Sequence, residues 1–263
     1  MGEGKKKKQR FLAANPICCF CGGRELATTV DHVPPRSCFP DRHGPEGFEF
    51  PACDRCQTAS RMDELVLGFF VRLIDPDDQT QRKDQSAKAL SGLVNNLPQL
   101  VPVFNLPASA KRRAYKMFDI ERPAGVISAD LPVVGVPEEV HEHVLRYARK
   151  MACALFYREM GRPAPVEHCV WTSWTQGANR AHMNALRTFV EMTPLITKGG
   201  RTNLDFGDRF GYRCNKKADP DLFAAIAQFG RGMTITMTVV NAESRSRLTH
   251  TDWVSVGDIY PRE

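Results

Sequence analysis

The clearest hydrophobic rhythm in the chain lies between residues 138 and 160. There Val140, Val144, Tyr147 with Ala148, Met151 and Leu155 recur at three- and four-residue steps. That spacing draws a single apolar stripe along an α-helix. Pro137 suits the first turn, Glu138 and Glu139 complement the positive end of the helix dipole, and Gly161 with Pro163 stops the helix. The stripe needs a partner, and a sheet is expected. Beyond it, shorter runs predict strands over 169–175, 188–196, 209–214, 233–240, where Met-Thr-Ile-Thr-Met-Thr alternates apolar and polar, and 253–256. A short helix is expected over 220–229. Upstream, an apolar helix is predicted over 58–74 and a polar one over 80–97, after which Pro98, Pro102, Pro107 and Pro123 interrupt any regular pattern.

The fold class expected from this order is α+β, in three zones. Residues 1–75 form a compact, loop-rich module with Pro34, Pro35, Pro40, Pro45 and Pro51; residues 76–136 form a partly helical connector; residues 137–263 form a mixed helix and strand domain. Composition narrows the classes. The 263 residues are 42% hydrophobic, and 36 Lys and Arg against 30 Asp and Glu leave a formal charge of +6 and a pI near 8.9. These values exclude a fibre and a disordered chain. The longest apolar run, residues 65–71, falls far short of the roughly 20 residues that span a bilayer. The basic start, Lys5 to Arg10, leads into no apolar segment of secretory length, so a cytoplasmic protein is expected.

Cysteine usage agrees with a reducing compartment. Nine is an odd number, and four of the nine stand as two Cys-x-x-Cys pairs, Cys18 with Cys21 and Cys53 with Cys56. Four thiolates on two such turns can close a tetrahedral zinc site, with Zn–S near about 2.3 Å. A site filled by four sulfurs leaves no open position for water or substrate, so this zinc is structural. The other five, Cys19, Cys38, Cys153, Cys169 and Cys214, read as small buried hydrophobes.

The interval between the pairs is longer than that of a plain zinc ribbon, and it holds Asp31-His32 at the end of a β-prone run, residues 26–30. A strand points neighbouring side chains to opposite faces. One can therefore bind metal while the other faces substrate: a carboxylate suits a hard ion such as Mg²⁺, and an imidazole suits proton abstraction from water.

Taken together, Cys18-Cys-Phe-Cys21, Asp31-His32-Val33-Pro34-Pro35 and Cys53-Asp-Arg-Cys56-Gln57 resemble the HNH endonucleases of the ββα-metal superfamily, in the form pinned by a four-cysteine zinc. The resemblance covers about residues 16–72. It implies that Asp31 and Gln57 are ligands of a catalytic Mg²⁺ or Mn²⁺ and that His32 is the general base. Two positions depart from the family: Gln57 stands where His or Asn is usual, and Phe48-Glu49-Phe50 stands where a supporting Asn is expected.

Arg36, Arg42, Arg55 and Arg61 surround this motif and are candidate phosphate contacts, whereas Lys5 to Lys8 read first as a solvated charged terminus. Lys111-Arg112-Arg113 would extend the basic surface. His141 and His143, two apart on a helix, cannot share a metal, and Trp171 and Trp174 read as core. The expected function is metal-dependent hydrolysis of phosphodiester bonds, in DNA before RNA, by a protein able to act as a homodimer. Two alternatives stay open: an inactive zinc module that binds nucleic acid or protein, and a zinc-stabilised regulatory protein.

Overall fold

A computed structural model describes residues 3–39, 44–74, 83–177, 179, 183–184, 186, 195–198, 209–215 and 221–261. The architecture is mixed α+β with two antiparallel sheets. An N-terminal helix α1 (Glu3–Ala14) precedes a two-stranded hairpin, β1 (Thr29–His32) and β2 (Glu49–Ala52), which runs directly into α2 (Asp54–Ala59) and α3 (Arg61–Ile74). Then come α4 (Lys83–Asn96), α5 (Ala108–Met117) and the long α6 (Glu139–Met160). The remainder builds the larger sheet from β3 (Cys169–Gln176), β4 (Leu195–Lys198), β5 (Phe210–Asn215), β6 (Leu222–Phe229), β7 (Met233–Val240) and β8 (Val254–Ser255), with α7 (Ala242–Ser246) between the last two. Its strand order is β4-β5-β6-β7-β3-β8.

Helix α6 is the axis of the molecule. Val140, Val144, Tyr147, Ala148, Met151 and Leu155 are all fully buried. The stripe covers β3, β6 and β7 as expected, and α6 also packs on α3. Gly161 closes the helix in the left-handed region at φ 69°, which glycine adopts without the Cβ clash other residues meet.

The buried residues form one continuous cluster from Cys18 to Tyr260. Its seam between hairpin and large sheet is aromatic. Phe48 stands edge-on to Phe50, Phe210 and Tyr212, with centroids 6.5, 5.4 and 5.9 Å away, and the Arg158 guanidinium lies 4.2 Å over its ring. Phe48 and Phe50, on either side of the partly exposed Glu49, are thus core.

Several expected elements are corrected. Of the helix expected over 220–229, residues 222–229 form strand β6 instead, bonded to β5 on one side and β7 on the other, and residue 220 lies outside the described set. The helix expected over 58–74 begins earlier and breaks at Ser60 into α2 and α3. Of the strand expected over 188–196 and the helix over 80–97, residues 188–194 and 80–82 lie outside the described set. The basic N-terminal run is exposed, as a solvated terminus should be, and lies in helix α1.

Candidate metal centre and hairpin site

The first cysteine pair sits on a small loop closed by the bridge of Ile17 with Leu26 and by the Cys18 N–H bonded to the Glu25 carbonyl. Gly22 and Gly23 turn it at φ 67° and 77°, and a Cβ on Gly22 would come within 2.6 Å of Val166 Cγ2 and 2.7 Å of its Cα. The loop is fastened to β2 through the Cys19 N–H and the Pro51 carbonyl, at 3.0 Å. The second pair is part of a helix start: Cys53 caps α2, its sulfur accepting from the Cys56 N–H at 3.5 Å. The Thr28 hydroxyl, donating to Asp54 at 2.9 Å, holds that helix start against the hairpin.

These pieces bring Cys18, Cys21, Cys53 and Cys56 together, buried, with ligand atoms within 4.8 Å of one another. The donor chemistry fits zinc. Backbone N–H groups of Phe20 and Cys56 point at the Cys18 and Cys53 sulfurs, which favours thiolate. Cys21 is drawn down to about 2 by thiol donation from Cys18 and Cys56, while Cys18, giving its proton toward Cys21, is pushed up to about 12. Without a cation, the sulfurs compete for protons; a divalent ion lets all four ionise. In its geometry and its donor chemistry the cysteine cluster could hold a metal ion such as zinc.

On β1 the strand pleat separates the next two residues as expected. Asp31 is buried and His32 is half-exposed. His32 faces its cross-strand partner Glu49, whose carboxylate lies 3.5 Å from Nε2. The same nitrogen lies 2.8 Å from the Arg36 guanidinium. Arg has no acceptor, so Nε2 accepts and the ring is neutral there. Burial, then the Arg36 charge, lower the His32 pKa from 6.5, with Glu49 and Asp31 pulling the other way.

Asp31 faces inward, and both its oxygens are engaged. Oδ1 accepts the backbone N–H of His32 at 2.8 Å, and Oδ2 meets Lys150 Nζ at 2.5 Å. Lys150, on α6, is fully buried and also donates to the Ser60 hydroxyl at 2.6 Å and to Glu64 at 2.7 Å. Burial alone would lower its pKa; the Asp31 and Glu64 carboxylates outweigh that and hold it raised and charged. Glu64 is raised mainly by burial, against the pull of Lys150. The residues present thus do not fit the catalytic Mg²⁺ or Mn²⁺ that the resemblance implies at Asp31, because the His32 amide holds one carboxylate oxygen and the Lys150 ammonium the other. Gln57 lies on α2 with its side chain half-buried, and among the described residues it is no partner of the Asp31 carboxylate.

The candidate phosphate contacts separate. Arg36 is exposed beside His32, and Arg61 is exposed at the start of α3. Arg55 is engaged inside the chain, by Glu25 at 3.1 Å and by the Tyr260 carbonyl, so it holds the C-terminal segment rather than facing solvent. Arg42 lies outside the described residues. His141 and His143 point apart as expected: Trp174 donates to His141 at 2.9 Å, and His143 pairs with Asp63 at 2.7 Å. Asp63, nearly unexposed, also receives Arg146 at 2.9 Å.

Sequence reasoning missed Lys150, Glu64 and Ser60. One signal was present: Lys150 falls three residues after Tyr147, on the apolar face of α6, where a charged side chain requires a partner. No helix among the described residues is long and apolar enough to cross a membrane. No family profile, no curated protein and no solved structure matches this chain.

Proposed function

We propose that this protein hydrolyses phosphodiester bonds in nucleic acid, DNA before RNA, at the outward face of the zinc-anchored hairpin. The observation that supports this most is the half-exposed His32 imidazole, neutral and in contact with Arg36. A neutral imidazole accepts a proton from water near physiological pH, and an exposed guanidinium binds a phosphate oxygen. Arg36 has two alternatives. Without substrate it donates to Nε2 and covers the base; with a phosphate present it turns to the anion and frees that lone pair. Water then attacks phosphorus as Nε2 takes its proton, the bond from phosphorus to the 3′ oxygen breaks, and the leaving oxygen is protonated by solvent. The order of hairpin, then helix, with the cysteines at their junction supports the resemblance to the HNH endonucleases.

The test is cleavage of supercoiled plasmid, single-stranded DNA and RNA by the zinc-loaded protein. His32→Ala is expected to lose about 10²- to 10⁴-fold in rate with its circular dichroism unchanged. Folded wild type that cleaves none of the three, or His32→Ala that cleaves as fast as wild type, overturns the reading. A second reading is favoured by one observation: the ammonium at Asp31 suits a binding module of the same fold, without catalysis, which retains DNA affinity in the same assay and shows no nicking.

A further inference from the structure

Asp31, Ser60 and Glu64 come from β1, the α2–α3 junction and α3, and all three direct an oxygen at one point. Two carboxylates and a hydroxyl are the donor set of a hard cation such as Mg²⁺, Mn²⁺ or Ca²⁺. The point is taken by Lys150 Nζ, which reaches it from α6 with no exposed surface of its own. Aromatic rings line the approach, with Nζ 5.0 Å from the centre of Phe20 and 5.6 Å from that of Tyr147. The Tyr147 hydroxyl is fully buried and has no hydrogen-bond partner among the described residues. Burial first, then the charges of Glu64 and Asp31, raise its pKa. This unpartnered hydroxyl, on a ring that lines the approach, is an oxygen that the ammonium does not use.

We propose that Asp31, Glu64 and Ser60 form a hard-cation cage whose resident cation is the Lys150 ammonium, so that the wild-type chain excludes divalent ions from it and the cage becomes a divalent metal site once that ammonium is removed. An ammonium supplies three N–H donors, and Lys150 matches them to three oxygens. It brings one positive charge to two carboxylates, so a divalent ion would neutralise the pair more fully. The lysine keeps the place because it is covalently part of α6 and brings no hydration shell into a fully buried point, whereas Mg²⁺ dehydrates reluctantly. The inference goes beyond hydrolysis: it concerns what Asp31 binds, and it holds or fails whether or not the chain cleaves nucleic acid.

The test is Mn²⁺ titration followed by electron paramagnetic resonance, without substrate, on protein whose zinc content is first measured so that the cysteine site is full. Wild type is expected to show no saturable Mn²⁺ site. Lys150→Met, which keeps length and apolar packing while removing the charge, is expected to bind one equivalent, and Lys150→Met with Asp31→Asn is expected to bind none. Wild type that takes up one equivalent, lost in Asp31→Asn, overturns the proposal; so does folded Lys150→Met that binds none. If Lys150→Met does not fold, the wild-type titration with its Asp31→Asn control decides alone. Plasmid cleavage is a separate measurement. Nicking by zinc-loaded protein with no added Mg²⁺ or Mn²⁺ agrees with the cage and with His32; nicking that requires added Mn²⁺ through Asp31 removes the cage and leaves His32 standing.

Discussion

His32 combines the features a proton acceptor needs, and the causes of its lowered pKa are separable by mutation. Burial comes first and the Arg36 charge second, so Arg36→Ala is expected to raise the His32 pKa part of the way back toward 6.5, leaving the contribution of burial. A titration of the His32 ring by NMR in both proteins checks this; an unchanged or lowered value in Arg36→Ala contradicts the contact. The sign for stability follows. The unfolded chain binds this proton more tightly than the folded one, so His32 reduces stability as pH falls from about 6.5 through the lowered folded value. Asp31 sits under a different constraint. Asp31→Ala leaves Lys150 buried with Glu64 as its sole carboxylate and also removes the acceptor for the His32 amide. A loss of about 3 to 5 kcal/mol in urea unfolding is expected, the range for breaking a buried pair from one side. A loss near zero would mean that the contact is not made in solution.

The cysteine loop is shaped at the level of the element, by its glycines and by four sulfurs that could hold a metal. Gly22→Ala forces a Cβ onto Val166 and an alanine into the left-handed region, so it should cost about 2 kcal/mol or more. Loss of zinc affinity should accompany it, measured by competition with a chromophoric chelator. Cys53→Ser removes one zinc ligand while its hydroxyl can still cap α2, and is expected to abolish tight zinc binding and lower the unfolding midpoint of the whole chain. These elements also show what was legible in the chain. The two Cys-x-x-Cys turns were, because their spacing is local, and so was α6, whose stripe is long. Strand β6 was not: its alanines favour a helix, yet Phe223, Ala225, Ala227 and Phe229 are buried on alternate residues between β5 and β7. Tertiary pairing overrode propensity, and the alternation was there to be weighed. The cage at Asp31 was hidden for a different reason. Lys150 lies 119 positions away in sequence, and no local pattern joins the two.

At the scale of the whole molecule, the open question is whether hairpin and large sheet unfold separately. Their boundary carries more than loop contacts. Phe48 from the hairpin side stands edge-on to Phe210 and Tyr212 of β5, Lys150 of α6 reaches Asp31 of β1, and His143 and Arg146 of α6 grip Asp63 of α3. Arg55 of α2 holds the Tyr260 carbonyl, and Arg24 of the cysteine loop donates to the Gly257 carbonyl at 3.2 Å. Aromatic rings at such a seam contribute through burial and edge-to-face geometry. Ion pairs there specify one docking, because only that docking gives the buried Asp63 and Lys150 their partners. One cooperative transition is therefore expected on heating, with zinc release, loss of near-ultraviolet signal and loss of helical signal coinciding. Phe48→Ala should lower that single midpoint, at a cost of about 3 to 5 kcal/mol. Two separated transitions in wild type, with zinc leaving in the first and the α6 signal in the second, would show that the hairpin module is an independent unit and that the seam is an interface between domains.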